Sequence, residues 1–298
     1  MSTKKDNFTS KDKQFMQIAL NLAIAREGLT GTNPSVGCVI VKNNKIISIG
    51  QTSHDGRPHA ERNAIKDSIE NVAGSKMYVT LEPCCHKGKT PPCTNLIIKS
   101  KISEVIYSIS DIDERVSGKS FKVLKSSKIK VRKNLLKKEI SRFYYPYFFN
   151  RKNKIPFVTG KIAVSKNNLI YSKEKQKITN IYSDKFSHFL RYKNDTILIS
   201  YKTLNKDNPK LNCRLKNKNN FSPIRVILDN KLNSNPNSYL IKSATKIKTI
   251  IFYNEATKSK ISLFKSKKVL LIKSKINKDN EFKLKEILKK LYTLGCRN

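Results

Sequence analysis

Apolar residues recur every three to four positions across residues 12–27, where Phe15, Met16, Ile18, Ala19, Leu22, Ala23 and Ala25 predict a helix. Two β-type runs follow at 36–41 and 46–49, joined by the turn formers Asn43 and Asn44, and predict a hairpin. Residues 59–69 read as helix, 77–81 as a short apolar strand, 93–99 as helix and 104–109 as strand. A further strand–helix alternation closes with 135–149, whose end carries Phe143, Tyr144, Tyr145, Tyr147, Phe148 and Phe149. That aromatic stripe is expected to pack in a core or an interface rather than to stack on bases. Arg151, Lys152, Asn153 and Lys154 then read as a linker into a new strand at 155–158, which places a domain boundary near 150. Beyond it, 196–200, 225–229, 248–253 and 269–273 predict buried strands, 183–192 and 281–292 predict helices, and 216–220 reads as loop. This alternation predicts α/β order with a mostly parallel sheet. The 298 residues suffice for two domains, expected at 1–150 and 151–298.

Composition refines this only in part. With 38% hydrophobic and 28% charged residues, the chain has a globular profile rather than a disordered one. No apolar run approaches the roughly 20 residues that span a bilayer. The basic start is not followed by an apolar segment with a small-residue cleavage site, so a cytoplasmic protein without a membrane partner is expected. The net charge of +39 invites a nucleic-acid reading, but only eleven of the 61 basic residues are Arg and the lysines are spread evenly. A solvated lysine surface that attracts phosphorylated small molecules is the better reading, and no nucleic-acid partner is expected.

Three of the six cysteines, Cys84, Cys85 and Cys93, crowd into ten residues, which points to metal or catalysis rather than a disulfide framework. His59, Cys84 and Cys93 offer one imidazole and two thiolates, a zinc donor set that keeps the fourth position for water. Glu61, two residues past the histidine, is placed to take a proton from that water and pass it to a departing amine. A His-x-Glu followed by Pro-Cys and a second Cys is the working set of zinc nucleobase deaminases. A closed structural site would need a fourth ligand, with Cys85 and His86 as candidates.

The string TLEPCCHKGKTPPC at 80–93 separates its zinc cysteines by eight residues, where free-cytidine and nucleic-acid deaminases usually have two. With TNPSVG at 32–37, GRPHAE at 56–61, Asp207-Asn208-Pro209, Cys213-Arg214 and Arg225-Val226-Ile227-Leu228-Asp229, the chain resembles the bifunctional riboflavin-biosynthesis deaminase/reductases along essentially its whole length. The resemblance implies a cytidine-deaminase-like three-layer α/β/α domain followed by a dihydrofolate-reductase-like α/β domain. It implies deamination of a diaminopyrimidine ribosyl phosphate, with Zn2+ in the first domain, NADPH in the second, and a homo-oligomer. By position, Asn33, His86, Lys89 and Asp111 would contact the deaminase substrate. Ile112 and Asp113 depart from the family's Pro-Asn, and Thr52 stands where many members have a histidine, with His54 close by.

For the reductase, the resemblance places Lys161, Ser165, Thr179, His188, Arg191, Thr203, Asp207, Leu211 and Arg214 at substrate or cofactor positions. Departures are plain: Asn167-Asn168 replaces Asp-Gly, Lys177 replaces a tryptophan, and the turn at 200–203 lacks glycine. The chain stops at Asn298, where a strand and a glycine-rich turn are expected, so the second domain is expected to be C-terminally truncated. Deamination is therefore the expected activity, with reduction left open. A tRNA-type deaminase and a catalytically idle zinc-binding scaffold are the alternatives.

Overall fold

The computed structural model describes residues 7–170, 178–218 and 221–298. Lys177, Asn219 and Asn220 lie outside the described residues. The chain divides into two compact units, Met1–Lys152 and Asn153–Asn298.

In the first unit, α1 (Ser10–Arg26) precedes the hairpin of β1 (Gly37–Lys42) and β2 (Lys45–Gln51). The hairpin turns on Asn43 and Asn44, whose φ angles of 49° and 60° form the left-handed pair that two-residue connections favour. Then come α2 (Ala60–Lys66), β3 (Lys76–Leu81), α3 (Cys93–Lys99), β4 (Glu104–Ile109), α4 (Lys119–Ser126), β5 (Lys130–Lys133) and α5 (Lys137–Asn153). The sheet runs β2-β1-β3-β4-β5. Strand β1 is antiparallel to both its neighbours, while β3, β4 and β5 are parallel.

Two glycines show why helices can lie close on both faces. Gly50 is the register partner of Cys38, so Gly37 and Gly50 point to opposite sides of the sheet. A Cβ on Gly37 would sit 1.8 Å from the Ala19 carbonyl oxygen of α1, and one on Gly50 would sit 2.2 Å from that of Ala60 in α2. Three layers result, as the resemblance implies. The aromatic end of α5 joins this core: Tyr144 is buried, donating to the Ser35 carbonyl at 2.7 Å and lying 2.7 Å from Thr80 Oγ1, while Phe143, Tyr147 and Phe148 pack against it.

A charged network closes the opposite end of this unit from the strands' carboxyl ends. Asp12, which with Thr9 forms the capping box of α1, accepts from Tyr78 Oη at 2.6 Å and pairs with Arg132, which also donates to Glu104 at 2.6 Å. Burial pushes the Asp12 carboxyl up, but the hydrogen bonds from Tyr78 and Thr9 and the Arg132 charge outweigh it and bring it down to about 2. A carboxylate depressed in the folded state stabilises fully above its unfolded pKa and loses that contribution as pH falls through the folded one. Asp12→Asn is thus expected to cost on the order of 1–3 kcal/mol near neutrality. The gap from wild type should shrink below about pH 4 in urea unfolding followed across pH; a gap constant with pH would contradict this network.

In the second unit, α6 (Ile181–Lys193) leads into β6 (Thr196–Ser200), α7 (Tyr201–Asp207), β7 (Ile224–Leu228), α8 (Tyr239–Lys242), β8 (Thr249–Tyr253), α9 (Lys258–Ser266), β9 (Leu270–Lys273) and α10 (Leu284–Thr293). The four strands are parallel in the order β6-β7-β8-β9. Alternate residues serve two cores: Ile227 and Ile251 pack with Leu204 and Phe264, while Val226, Ile250 and Phe252 pack with Ile287 and Leu291. Arg225 is fully buried at the start of β7 and donates to the carbonyls of Leu240, Ser243 and Ile247 and to the hydroxyls of Ser243 and Thr249. Burial lowers its pKa to about 10, so this guanidinium works as a clamp on the end of α8 and the turn after it.

Two expectations fail. Residues 155–158 form no strand; the Phe157 N–H bonds the Arg297 carbonyl, but no ladder forms around Pro156. The basic run at 151–154 is not wholly linker either, because α5 continues to Asn153. No helix among the described residues is long and apolar enough to cross a membrane.

Candidate active site

The carboxyl ends of the parallel strands β3 and β4 open into a cavity of about 210 Å³, where open α/β sheets place their ligands. The segment after β3 supplies Cys84, α3 begins at Cys93, and His59 caps the start of α2, so three local chain reversals converge. His59 Nδ1 lies 3.6 Å from Cys84 Sγ and 3.4 Å from Cys93 Sγ, and the three ligand atoms fall within 4.8 Å of one another. A tetrahedral zinc with bonds of about 2.0 Å to nitrogen and about 2.3 Å to sulfur sets N···S edges on the order of 3.5 Å. The donor set and its spacing fit that ion.

The protonation pattern suits metal capture. Hydrogen bonds from the Cys93 thiol and from His59 hold Cys84 down at about 4, against the opposing effect of burial. The bond to Cys84 and burial push the Cys93 thiol up, and the bond to Cys84 raises His59. Cys84 is thus the thiol closest to its ligating form, and a bound cation would have to displace the protons of Cys93 and His59.

Among the described residues this cluster contains three ligands and no fourth. Cys85 turns away and donates to the Arg115 carbonyl at 3.4 Å. His86 stands in the cavity wall outside the cluster, its Nδ1 buried without a hydrogen-bond partner among the described residues. Glu61, only 3% exposed, sits in the first turn of α2 and also lines the cavity. Burial pushes its carboxyl up while the His59 charge opposes that shift.

The expected substrate contacts divide. Asn33, His86 and Asp111 line the cavity. Asn33 Nδ2 donates to the Gly56 carbonyl at 2.9 Å, and burial holds the Asp111 carboxyl above its usual range. Lys89 does not line the cavity; it is exposed, while its neighbours Gly88 and Thr90 face inward. Thr52 lines the wall with its hydroxyl bound to Val36 N–H and the Pro34 carbonyl, whereas His54 is outside, 2.5 Å from Arg26. Sequence reasoning missed Arg57, Glu82, Arg115, Tyr147 and Arg151, all in the wall. Arg57 lies inside the GRPHAE string at 56–61, and Arg151 belongs to the basic run at 151–154.

In the second unit, His188, Arg191 and Arg214 come together: His188 Nδ1 accepts from the Arg214 N–H at 3.1 Å and lies 3.3 Å from Arg191 Nη1. Burial and the two neighbouring guanidinium charges lower the His188 pKa, and burial and Arg214 lower that of Arg191. Two guanidinium groups and one imidazole thus meet here, with the Asp184 carboxylate as the opposing charge. Thr203 N–H is held by Ser200 Oγ at the start of α7, Thr179 bonds Asp184, and Leu211 is buried at φ 50°. Lys161 and Asp207 are exposed, and Ser165 closes a turn with Asn167 and Leu169.

A three-layer sheet with one histidine, two cysteines and a buried glutamate around a cavity defines a zinc-dependent deaminase of the cytidine-deaminase type. Residues 9–109 match the cytidine and deoxycytidylate deaminase zinc-binding region, and residues 160–298 match the RibD C-terminal domain. The riboflavin biosynthesis protein RibD of Aquifex aeolicus is 34% identical over 285 residues, covering 95% of this chain and 78% of that protein. RibD of Actinobacillus pleuropneumoniae is 33% identical, covering 95% and 75%. The crystal structure of the diaminohydroxyphosphoribosylaminopyrimidine deaminase/5-amino-6-(5-phosphoribosylamino)uracil reductase of Thermotoga maritima superposes with a TM-score of 0.83 at 31% identity, covering 96% of this chain and 79% of that one. The chain belongs to the RibD family of riboflavin biosynthesis and carries a zinc-binding deaminase region followed by a dihydrofolate-reductase-like, NADPH-binding reductase domain.

Proposed function

We propose that this chain converts 2,5-diamino-6-ribosylamino-4(3H)-pyrimidinone 5′-phosphate to 5-amino-6-ribosylaminouracil 5′-phosphate, with residues 1–150 as the deaminase domain and 151–298 as the reductase domain. The observation that carries it is the convergence of His59, Cys84 and Cys93 beside buried Glu61. Zinc held by those three side chains would supply a Lewis acid that makes a water nucleophilic near neutral pH. Glu61 takes the proton of the attacking water and delivers it to the departing amine, so that water and the C–NH2 bond become C=O and ammonia. Asn33, His86 and Asp111 orient the ring from the walls of the cavity. In the reductase domain, His188, Arg191 and Arg214 hold the phosphorylated substrate, and NADPH would supply the hydride that converts ribosyl to ribityl.

Cys84 and Cys93 ligate only when reduced, which supports a cytoplasmic setting. A homo-oligomer is proposed because α6 leaves Ile181, Tyr182 and Phe186 exposed, an apolar patch suited to burial against another copy. The test incubates the purified protein with the diaminopyrimidine phosphate, with and without NADPH. Ammonia release in both arms, and NADPH oxidation only after deamination, is the expected result; no ammonia in either arm would return the idle-scaffold reading.

A further inference from the structure

Arg57 is a half-buried cation in the wall of the deaminase cavity, directly before Pro58 and the zinc-site residue His59. Its Nη1 donates to Thr90 Oγ1 at 2.7 Å and lies 3.4 Å from His59 Nε2. A Cβ built on Gly88 would stand 3.7 Å from Nη2, so the guanidinium lies under the 85–92 loop. Nη1 is thus held by Thr90 and by the His59 imidazole, while Nε and Nη2 carry no hydrogen bond and no carboxylate pairs with the group among the described residues.

The other two guanidinium groups of the wall are tied down by neighbours, although Arg151 Nε is buried without a hydrogen-bond partner among the described residues. Arg115 is gripped by Asp113, with Nε 2.9 Å from Oδ1 and Nη2 2.5 Å from Oδ2. Arg151 donates to the Thr32 carbonyl and stacks 5.2 Å from the Tyr147 ring centroid. The same wall carries four carboxyl groups, those of Glu61, Glu82, Asp111 and Asp113. A phosphate monoester entering beside those carboxyls needs a fixed positive partner, and a planar fork held through Nη1 with Nε and Nη2 open suits two phosphate oxygens.

We propose that Arg57 binds the 5′-phosphate of the deaminase substrate and makes the cavity selective for the phosphorylated ribosylaminopyrimidine over its riboside. This rests on the deaminase reading above. Thr90 orients the guanidinium, and the chain link through Pro58 to His59 sets the phosphate site at a constant distance from the reacting end. The phosphate takes no part in the bond changes, so binding it acts alike on ground and transition states and shows in KM rather than in kcat.

The test compares zinc-loaded wild type, Arg57→Gln and Arg57→Lys on the phosphorylated substrate and on its dephosphorylated riboside. In Arg57→Gln the KM for the phosphorylated substrate is expected to rise about 10- to 100-fold, and that for the riboside far less. Arg57→Lys recovers part of the loss, because the charge remains and the fork does not. Equal losses on both substrates, or a fall in kcat with KM unchanged, would mean that Arg57 only ties the loop and would overturn the proposal. Calorimetry with ribose 5-phosphate separates the two claims. A phosphate-binding site lost in Arg57→Gln, in a wild type that releases no ammonia, overturns the deaminase reading and keeps this site. Ammonia release with the same KM in both proteins does the reverse.

Discussion

Glu61→Gln is expected to lower the rate of ammonia release by roughly 10²–10⁴-fold, with zinc content unchanged. Glutamine keeps the shape and a hydrogen bond but cannot carry the proton between water and the leaving amine. The carboxyl group lies in the first turn of α2, two residues beyond His59 and 3% exposed, so no bulk water can readily take over its task. It is not among the three clustered metal-ligand residues, which is why metal and activity should separate in this variant. Steady-state ammonia release together with metal analysis checks both halves. Activity within threefold of wild type would remove Glu61 from the proton path.

Cys84→Ala is expected to abolish both zinc binding and deamination. Changes in groups that only support a metal ligand already cost about 10- to 100-fold in affinity or activity, and Cys84 is itself one of three donors. Its thiol is the group most ready to ligate, held down at about 4 by Cys93 and His59. Removing it leaves His59 and Cys93 facing a vacant corner, so the thermal midpoint should also fall and cease to respond to added zinc. Cys85→Ser is the control. Its thiol faces the Arg115 carbonyl, and its loss should leave zinc content as in wild type. Metal analysis and thermal melts on the three proteins decide the matter; zinc loss in Cys85→Ser would point to a closed structural site.

Much of this was legible because local sequence carries it. The hairpin turn needs two residues at positive φ, and adjacent asparagines announce it. The zinc motif is legible for a similar reason: a helix start, a strand end and a second helix start present their first residues to one point, and the ligands occupy those places. The failures have a different origin. Residues 155–158 have a β-like pattern, but a strand exists only where a neighbour offers a ladder, and periodicity cannot report a missing neighbour. Lys89 and Arg57 show the same limit at the site. Which of two cations faces a cavity depends on how the 85–92 loop folds over α2, and that is a tertiary fact. The buried clamp of Arg225 was likewise hidden, since a charged residue at a strand start reads as exposed until the end of α8 is seen to cover it.

The most direct test of the zinc centre is X-ray absorption at the zinc edge on the purified protein. One zinc per chain is predicted, with two sulfurs at about 2.3 Å and two light ligands, one an imidazole nitrogen and the other a solvent oxygen, at about 2.0 Å. A third sulfur, a second imidazole or a protein that takes up no zinc would contradict the open catalytic site at His59, Cys84 and Cys93.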